Sequence, residues 1–349
     1  MASLSLGAPR SRARPRHSPQ DCDATVQSTD NDAASSRLSA VRAQYLEDPF
    51  ASLFSPPAPL KLPIINRGTY VRTTAIDRLV HAFLCDSPRT PAEQQSRKQI
   101  ISLGAGTDTR FFRLYPTYST PNALFPIDLV YHELDFPTLA RKKLSTILSH
   151  PKLRSCLSGD VELNNDTGRI HSDNYYLHPV DLRTLIPGTT PPLPGINPTI
   201  PTLIISECCL IYLSPEEAEN VVNYFTSILT GSLGMIIYEP INGSDAFGKV
   251  MVANLATRGI VLKTLEKYET LEKQQQRLKS AGFEGVGTAD VDWLFENWSV
   301  DVEKERVAKL EFLDEVEEWR LLAQHYAVVW GWKGEGWIRW KSLKSQAGG

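Results

Sequence analysis

The stretch ISLGAGTDTR, Ile101–Arg110, decides how the chain is read. The mostly apolar run Gln99–Leu103 feeds into Gly104-Ala105-Gly106 and then Thr-Asp-Thr. A strand ending in glycines lets the backbone turn tightly and approach a ligand with no Cβ in the way. Alone this is a weak signal, because a GxG after a strand also suits a structural turn. A dinucleotide site needs a third glycine, so that a helix N-terminus can meet the pyrophosphate. Here that position is Thr109, followed by bulky Arg110 and Phe111, and Asp108 in the first turn would repel phosphate.

Outward from the glycines the chain alternates. A helix is expected from Asp108 to Leu114. Strands are expected at Leu129–Leu134, Tyr175–Val180, Pro201–Ser206 and Gly234–Tyr238, with two more near Phe283–Asp290 and His325–Trp332. A helix starts near Pro137. Another starts at Ser214, with Pro215 at its first position and Glu217 closing a capping box. Strands alternating with helices mean an α/β fold, with a largely parallel sheet covered on both faces. Upstream, Asp32 caps a helix running to Tyr45, and DPFASLF makes a docking turn. An amphipathic helix lies within Asn66–Leu84, with Ile76, Leu79, Val80 and Phe83 at helical spacing. SPRTPAEQQSR reads as a polar linker, and Ile186–Thr202 as a Pro-rich surface loop in place of a crossover helix.

In such sheets ligands bind beyond the carboxyl ends of the strands. The strand ends after the glycine turn carry Asp135, Asp181, Glu207 and Glu239. An acid about 30 residues after the glycines can accept both hydroxyls of a ribose. That suits NAD or S-adenosyl-L-methionine. The missing third glycine and Asp108 disfavour NAD and an oxidoreductase. S-adenosylmethionine has no phosphate; its ammonium and sulfonium favour carboxylates, and its carboxylate favours arginine.

The whole chain narrows the classes further. Its 349 residues, 42% hydrophobic, suffice for one large core or two small ones. A net charge of -3 lacks the basic surplus of a nucleic-acid binder. No apolar run is long enough to span a membrane. The 5 cysteines are scattered and lack metal-ligand spacing, so no metal is expected. They suit a reducing compartment, with Cys208-Cys209 simply buried. Residues 1–27 read as a disordered Arg/Pro-rich tail. Its prolines Pro9, Pro15 and Pro19 argue against a transit helix.

With these motifs assembled, the chain resembles the leucine carboxyl methyltransferases, which methylate the C-terminal leucine of the protein phosphatase type 2A catalytic subunit. The resembling stretches are DNDAASSRLSA, NRGTYVRTTAIDRLV, QIISLGAGTDTRFFRL, YHELDFPTLARKK, PVDLRTL, PTLIISECCLIYLSPEEAENVV and YEPINGSDAFGKVMVANLATRG, from about Thr29 to Gly259, with a looser match at HYAVVWGW. RGTYVR, ECCLIYLSPEE and FGKVM are the more specific parts.

The resemblance implies a class I S-adenosylmethionine-dependent methyltransferase fold, a Rossmann-like, mostly parallel seven-stranded sheet. It implies that Arg72 holds the methionine carboxylate. Arg37, where the family has a lysine, meets the cofactor too. Gly104 and Gly106 pack on it, Asp135 takes the ribose hydroxyls, Asp181 and Leu182 flank the adenine, Glu207 sits near the ammonium, and Tyr212 lines the pocket. The resemblance also implies that the product is a methyl ester that regulates phosphatase holoenzyme assembly. The acceptor carboxylate is already ionised at neutral pH, with a pKa of roughly 3.5, so no general base is assigned. Arg258 and Lys249 are candidates to hold it.

The expected organisation is a single domain over 28–349. Residues 28–90 close the cofactor site, and 241–280 form a helical substrate lid. The protein is expected to be a cytoplasmic monomer, with nuclear presence allowed. Two rivals stand. One is the related carboxyl methyltransferase of the tRNA wybutosine pathway, disfavoured because no propeller repeats are visible. The other is a non-catalytic phosphatase-binding module, disfavoured by the intact pocket acids and glycines.

Overall fold

The run KQIISL is buried along its whole length because it lies at the centre of a sheet covered on both faces. The computed structural model describes residues 19–86, 97–118, 127–314 and 316–347, with side chains from residue 22. Its strands are β1 (Lys98–Leu103), β2 (Leu129–Asp135), β3 (Glu162–Asn164), β4 (Arg169–His171), β5 (Tyr175–Pro179), β6 (Thr202–Glu207), β7 (Leu233–Pro240), β8 (Gly285–Asp290) and β9 (Tyr326–Lys333). The spatial order is β3-β4-β5-β2-β1-β6-β7-β9-β8. Strands β5, β2, β1, β6 and β7 run parallel. Strand β9 is antiparallel to both β7 and β8.

Every strand expected from the sequence is present. The β3–β4 hairpin is an addition, and its polar, largely exposed sequence carries no apolar alternation to announce it. The two faces of the sheet follow from the period of two along each strand. Ile100, Leu203, Ile205, Ile236 and Val328 face one core; Ile101, Ile204, Met235, Ile237 and Val329 face the other. Chain order reverses direction across the sheet at β1, since β2 lies on one side of it and β6 on the other. The glycine turn therefore opens at the crevice where such sheets bind ligands.

The N-terminal helices are α1 (Pro19–Arg42), α2 (Ala51–Phe54) and α3 (Pro63–Cys85). Helix α4 (Arg110–Tyr118) follows the glycine turn, and α5 (Pro137–Ser149) follows β2. Phe50 and Phe54 dock on Phe112 of α4 at 5.8 and 5.7 Å. The capping box at Ser214 forms as expected, with Ser214 N donating to Glu217 Oε2 at 2.7 Å and Glu217 N to Ser214 Oγ at 3.2 Å. The C-terminal tryptophans serve packing: Trp330, Trp337 and Trp340 are buried, and a Cβ on Gly287 would strike Trp330.

Three expectations need correction. Helix α1 begins at Pro19, so residues 19–27 are not disordered and Asp32 lies inside the helix rather than capping it. Its first half, QDCDATVQSTD, has no apolar stripe; its acids reach other elements instead, a non-local effect that periodicity misses. The rest of the expected tail, and the linker SPRTPAEQQSR save its last residue Arg97, lie outside the described residues. The charge-rich run expected to form a lid yields only the helix Leu271–Ser280. That helix covers the sheet, with Leu278 in the core and Arg277 paired to buried Glu239 at 2.8 Å. Only the earlier part of the segment reaches the cavity.

One packed cluster makes stability depend on pH. His132 on β2 stacks on Tyr176 at 4.7 Å, and its Nδ1 lies 3.1 Å from Nε2 of His178 on β5. Burial, then the neighbouring histidines, pushes His132 well below the usual imidazole range and His178 down to about 3. Both are held neutral in the fold but protonate near pH 6.5 when unfolded. The unfolded chain thus binds more protons below that pH, and stability falls as pH falls, by up to about 1.4 kcal/mol per histidine per pH unit. Buried Glu133, pushed up to about 7, works in the opposite direction. Urea denaturation at pH 7 and pH 5 should therefore show a smaller acid loss in His178→Gln than in the wild type. Equal losses would contradict the assignment.

Candidate functional site

Beyond the carboxyl ends of β1, β2, β5 and β6 lies a cavity of about 450 Å³, a size typical of small-molecule sites. Arg37, Arg72, Gly104, Gly106, Asp135, Asp181, Leu182, Glu207 and Tyr212 all line it. The structure thus brings together every residue singled out for cofactor binding, from six separate regions of the chain.

The glycine turn forms the floor. Gly104 has φ +59° and Gly106 φ +45°, where an L side chain is strained. A Cβ on Gly104 would lie 2.6 Å from Cys209 Sγ, and one on Gly106 would strike the Asp30 carboxylate. The glycines therefore make room for the protein's own side chains as well as for a ligand. Cys208 and Cys209, expected to be simply buried, line the cavity.

Carboxylates follow one another around the rim. Asp135, at the end of β2, accepts from Gly106 N at 2.6 Å and from Phe136 N at 2.7 Å. Burial pushes its carboxyl up to about 6. Asp30 of α1 accepts from Thr107 N at 2.7 Å and from Thr107 Oγ1 at 2.8 Å. Asp181 shares Arg183, whose NH2 donates at 2.6 Å, and the same guanidinium reaches Asp23 of α1 at 2.7 Å. Asp23 and Asp30 thus tie the first half of α1 across the cavity. Glu239 is the exception among the strand-end acids, because its charge is spent on Arg277.

Glu207, at the end of β6, sits between two arginines. Arg72 Nε on α3 donates to its Oε2 at 2.7 Å, and Arg110 NH1 lies 2.9 Å from its Oε1. Burial opposes its ionisation, but Arg110 and Arg72 hold the Glu207 carboxyl below the usual range. Arg110 is fully buried and also reaches Asp77 at 2.9 Å and Asp108 at 2.5 Å. Asp108 is therefore a partner of Arg110. Arg37 is more loosely held, with one contact to Asp48 at 3.3 Å.

The mouth is formed by the end of the helix Ala246–Thr257 and the turn after it. Leu255, Arg258, Gly259, Ile260, Val261 and Lys263 line the cavity there. Of the two cations proposed from sequence to hold an acceptor carboxylate, Arg258 is here but pairs with Asp32 of α1. Lys249 is exposed on the same helix and does not line the cavity. Sequence reasoning missed Asp23, Asp30, Arg110, Arg183 and Lys263. Arg110 did carry a signal, being a bulky cation where a dinucleotide site has room for phosphate. Among the described residues no group of three or more His, Cys, Asp or Glu is arranged to hold a metal ion, and no helix is long and apolar enough to cross a membrane.

Removing Arg110 leaves Asp108 and Glu207 buried with incomplete compensation, so Arg110→Met should lower unfolding stability by about 3–5 kcal/mol. Lys142→Ala, which removes an exposed contact to Asp30 at 3.4 Å, should cost no more than about 1 kcal/mol. Denaturant titrations of the two variants would check the contrast; comparable losses would contradict it.

A model of the family described as leucine carboxyl methyltransferase matches residues 25–226. The chain is 51% identical to leucine carboxyl methyltransferase 1 of Aspergillus fumigatus over 93% of this chain and 88% of that one. It is 49% identical to the protein of that name from Emericella nidulans, over 95% and 92%, and 43% identical to the one from Yarrowia lipolytica, over 88% and 97%. The mostly parallel sheet agrees with the class I methyltransferase fold that the motifs imply. With the strand-end cavity intact and the likeness running almost end to end, this chain is a methyltransferase that belongs to the leucine carboxyl methyltransferase family.

Proposed function

We propose that the protein transfers a methyl group from S-adenosylmethionine to the C-terminal leucine α-carboxylate of the protein phosphatase type 2A catalytic subunit. The observation that carries this reading is the order of charges along one cavity: Asp181, Asp135, then Glu207 between arginines, with no third glycine for a pyrophosphate. That order matches adenine, ribose and amino-acid ends of the cofactor.

Asp181 and Leu182 would flank the adenine, with Arg183 fixing the Asp181 carboxylate. Asp135 keeps lone pairs free beyond its two backbone donors, and these would accept the ribose hydroxyls. Arg72 and Arg37 would hold the methionine carboxylate. Arg37 has guanidinium donors left over from its single contact with Asp48. Glu207 would face the ammonium. When bound, S-adenosylmethionine supplies an electrophilic methyl on sulfonium, and the electron pair of the broken carbon–sulfur bond stays on sulfur. The acceptor oxygen is already anionic and no proton has to move, so the protein needs no acid–base pair. Its work is to hold the acceptor in line and to exclude water from it. The cover that α1 makes over the cavity supports that role.

The test is transfer of labelled methyl from S-adenosylmethionine to the purified phosphatase catalytic subunit, intact or lacking its last leucine. Base-labile label on the intact protein alone is the expected result. Label on both, or on neither, would overturn the proposal. The buried Asp135 gives a second expectation. Its carboxylate accepts hydroxyl donors better than its protonated form, so cofactor affinity should rise with pH through about 6 and level off above. Calorimetry from pH 5 to pH 8 should show this rise in the wild type, and its absence in Asp135→Asn would assign it.

A further inference from the structure

Among the described residues five cations line the cavity: Arg37, Arg72, Arg183, Arg258 and Lys263. Four have carboxylate partners, namely Asp48, Glu207, Asp181 with Asp23, and Asp32. Lys263 has no ion pair among the described residues. Its backbone is nevertheless fixed, because its N–H donates to Ile211 O at 2.8 Å in the turn that carries Tyr212. Tyr212 lines the same cavity and follows Glu207 by five positions in the chain. A lysine with no carboxylate partner among the described residues is thus rooted, by its backbone, beside the turn that carries Tyr212.

The residues next to it are apolar. Leu255, at the end of the helix, and Ile260 and Val261, on the turn after it, line the cavity there. Val261 is 58% exposed, a large apolar side chain left open at the mouth. One cation beside a small apolar patch complements a chain-terminal residue with an aliphatic side chain and a free carboxylate.

We propose that Lys263, with Leu255, Ile260 and Val261, forms the acceptor subsite. The ammonium binds one oxygen of the terminal carboxylate, and the leucine side chain packs on the apolar three. The inference rests on the leucine-carboxyl reading above and names the residues that serve it. A lysine suits the task because a point charge can hold one oxygen and leave the other free to attack. A guanidinium fork would grip both oxygens and blunt the nucleophile.

The test compares binding of two forms of the phosphatase catalytic subunit to the protein loaded with S-adenosylhomocysteine. One form has its free C-terminal carboxylate; the other carries the methyl ester made by the wild-type protein. The wild type should favour the carboxylate form by about tenfold, as a charge-assisted contact would give. Lys263→Gln should bring the two forms within about twofold, with S-adenosylhomocysteine affinity unchanged. Lys263→Arg should recover the preference while turning over more slowly. A Lys263→Gln variant that keeps the wild-type preference would overturn the subsite and leave the proposed function standing. If the wild type makes no ester at all, the function and the subsite fall together.

Discussion

A buried guanidinium organises this molecule. Arg110 opens the helix after the glycine turn and has no exposed surface. It is placed where it can reach Asp77 of α3, Asp108 of its own turn, and Glu207 at the end of β6. A buried cation of this kind is tolerable only if its carboxylates stay close. The requirement ties together an N-terminal helix, the first strand-to-helix turn and the strand across the crevice. It holds Glu207 ionised despite burial, and through Glu207 it orients Arg72. The amino-acid end of the cavity is therefore assembled before any ligand enters.

The cavity is covered by a different device. Helix α1 crosses the cavity and is held at intervals: Asp23 to Arg183, Asp30 to Thr107, Asp32 to Arg258. These contacts are part-buried or exposed, and individually weak. The rigid hub and the lightly tied cover divide the work in the way a cofactor site requires. One part is preorganised by a buried hub, and the other is held by weaker contacts nearer the surface.

Much of this could be read from the chain. Continuous apolar runs located β1, β6 and β7, because strands buried on both faces need no alternation. The rule that ligands sit at strand ends turned four acids into candidates, three of which line one cavity. The fourth, Glu239, looked the same in sequence, and only its meeting with Arg277 on a distant helix separates it. The first half of α1 was misread for the same reason. Its polar residues have no local reason to be helical, and its acids find partners in regions of the chain far away from it. The hairpin β3–β4 is short and buries only Ile170, so no apolar pattern marked it. Local patterns reveal elements that bury apolar surface; elements held by long-range polar contacts have to be seen in three dimensions.

The most direct test of the account is an experimental structure with S-adenosylhomocysteine bound. The account predicts adenine between Asp181 and Leu182, ribose hydroxyls on Asp135, and the amino-acid carboxylate on Arg72, with the Arg110–Glu207 contact retained. A ligand lying in the reverse direction, or an Arg110 drawn away from Glu207 on binding, would contradict it.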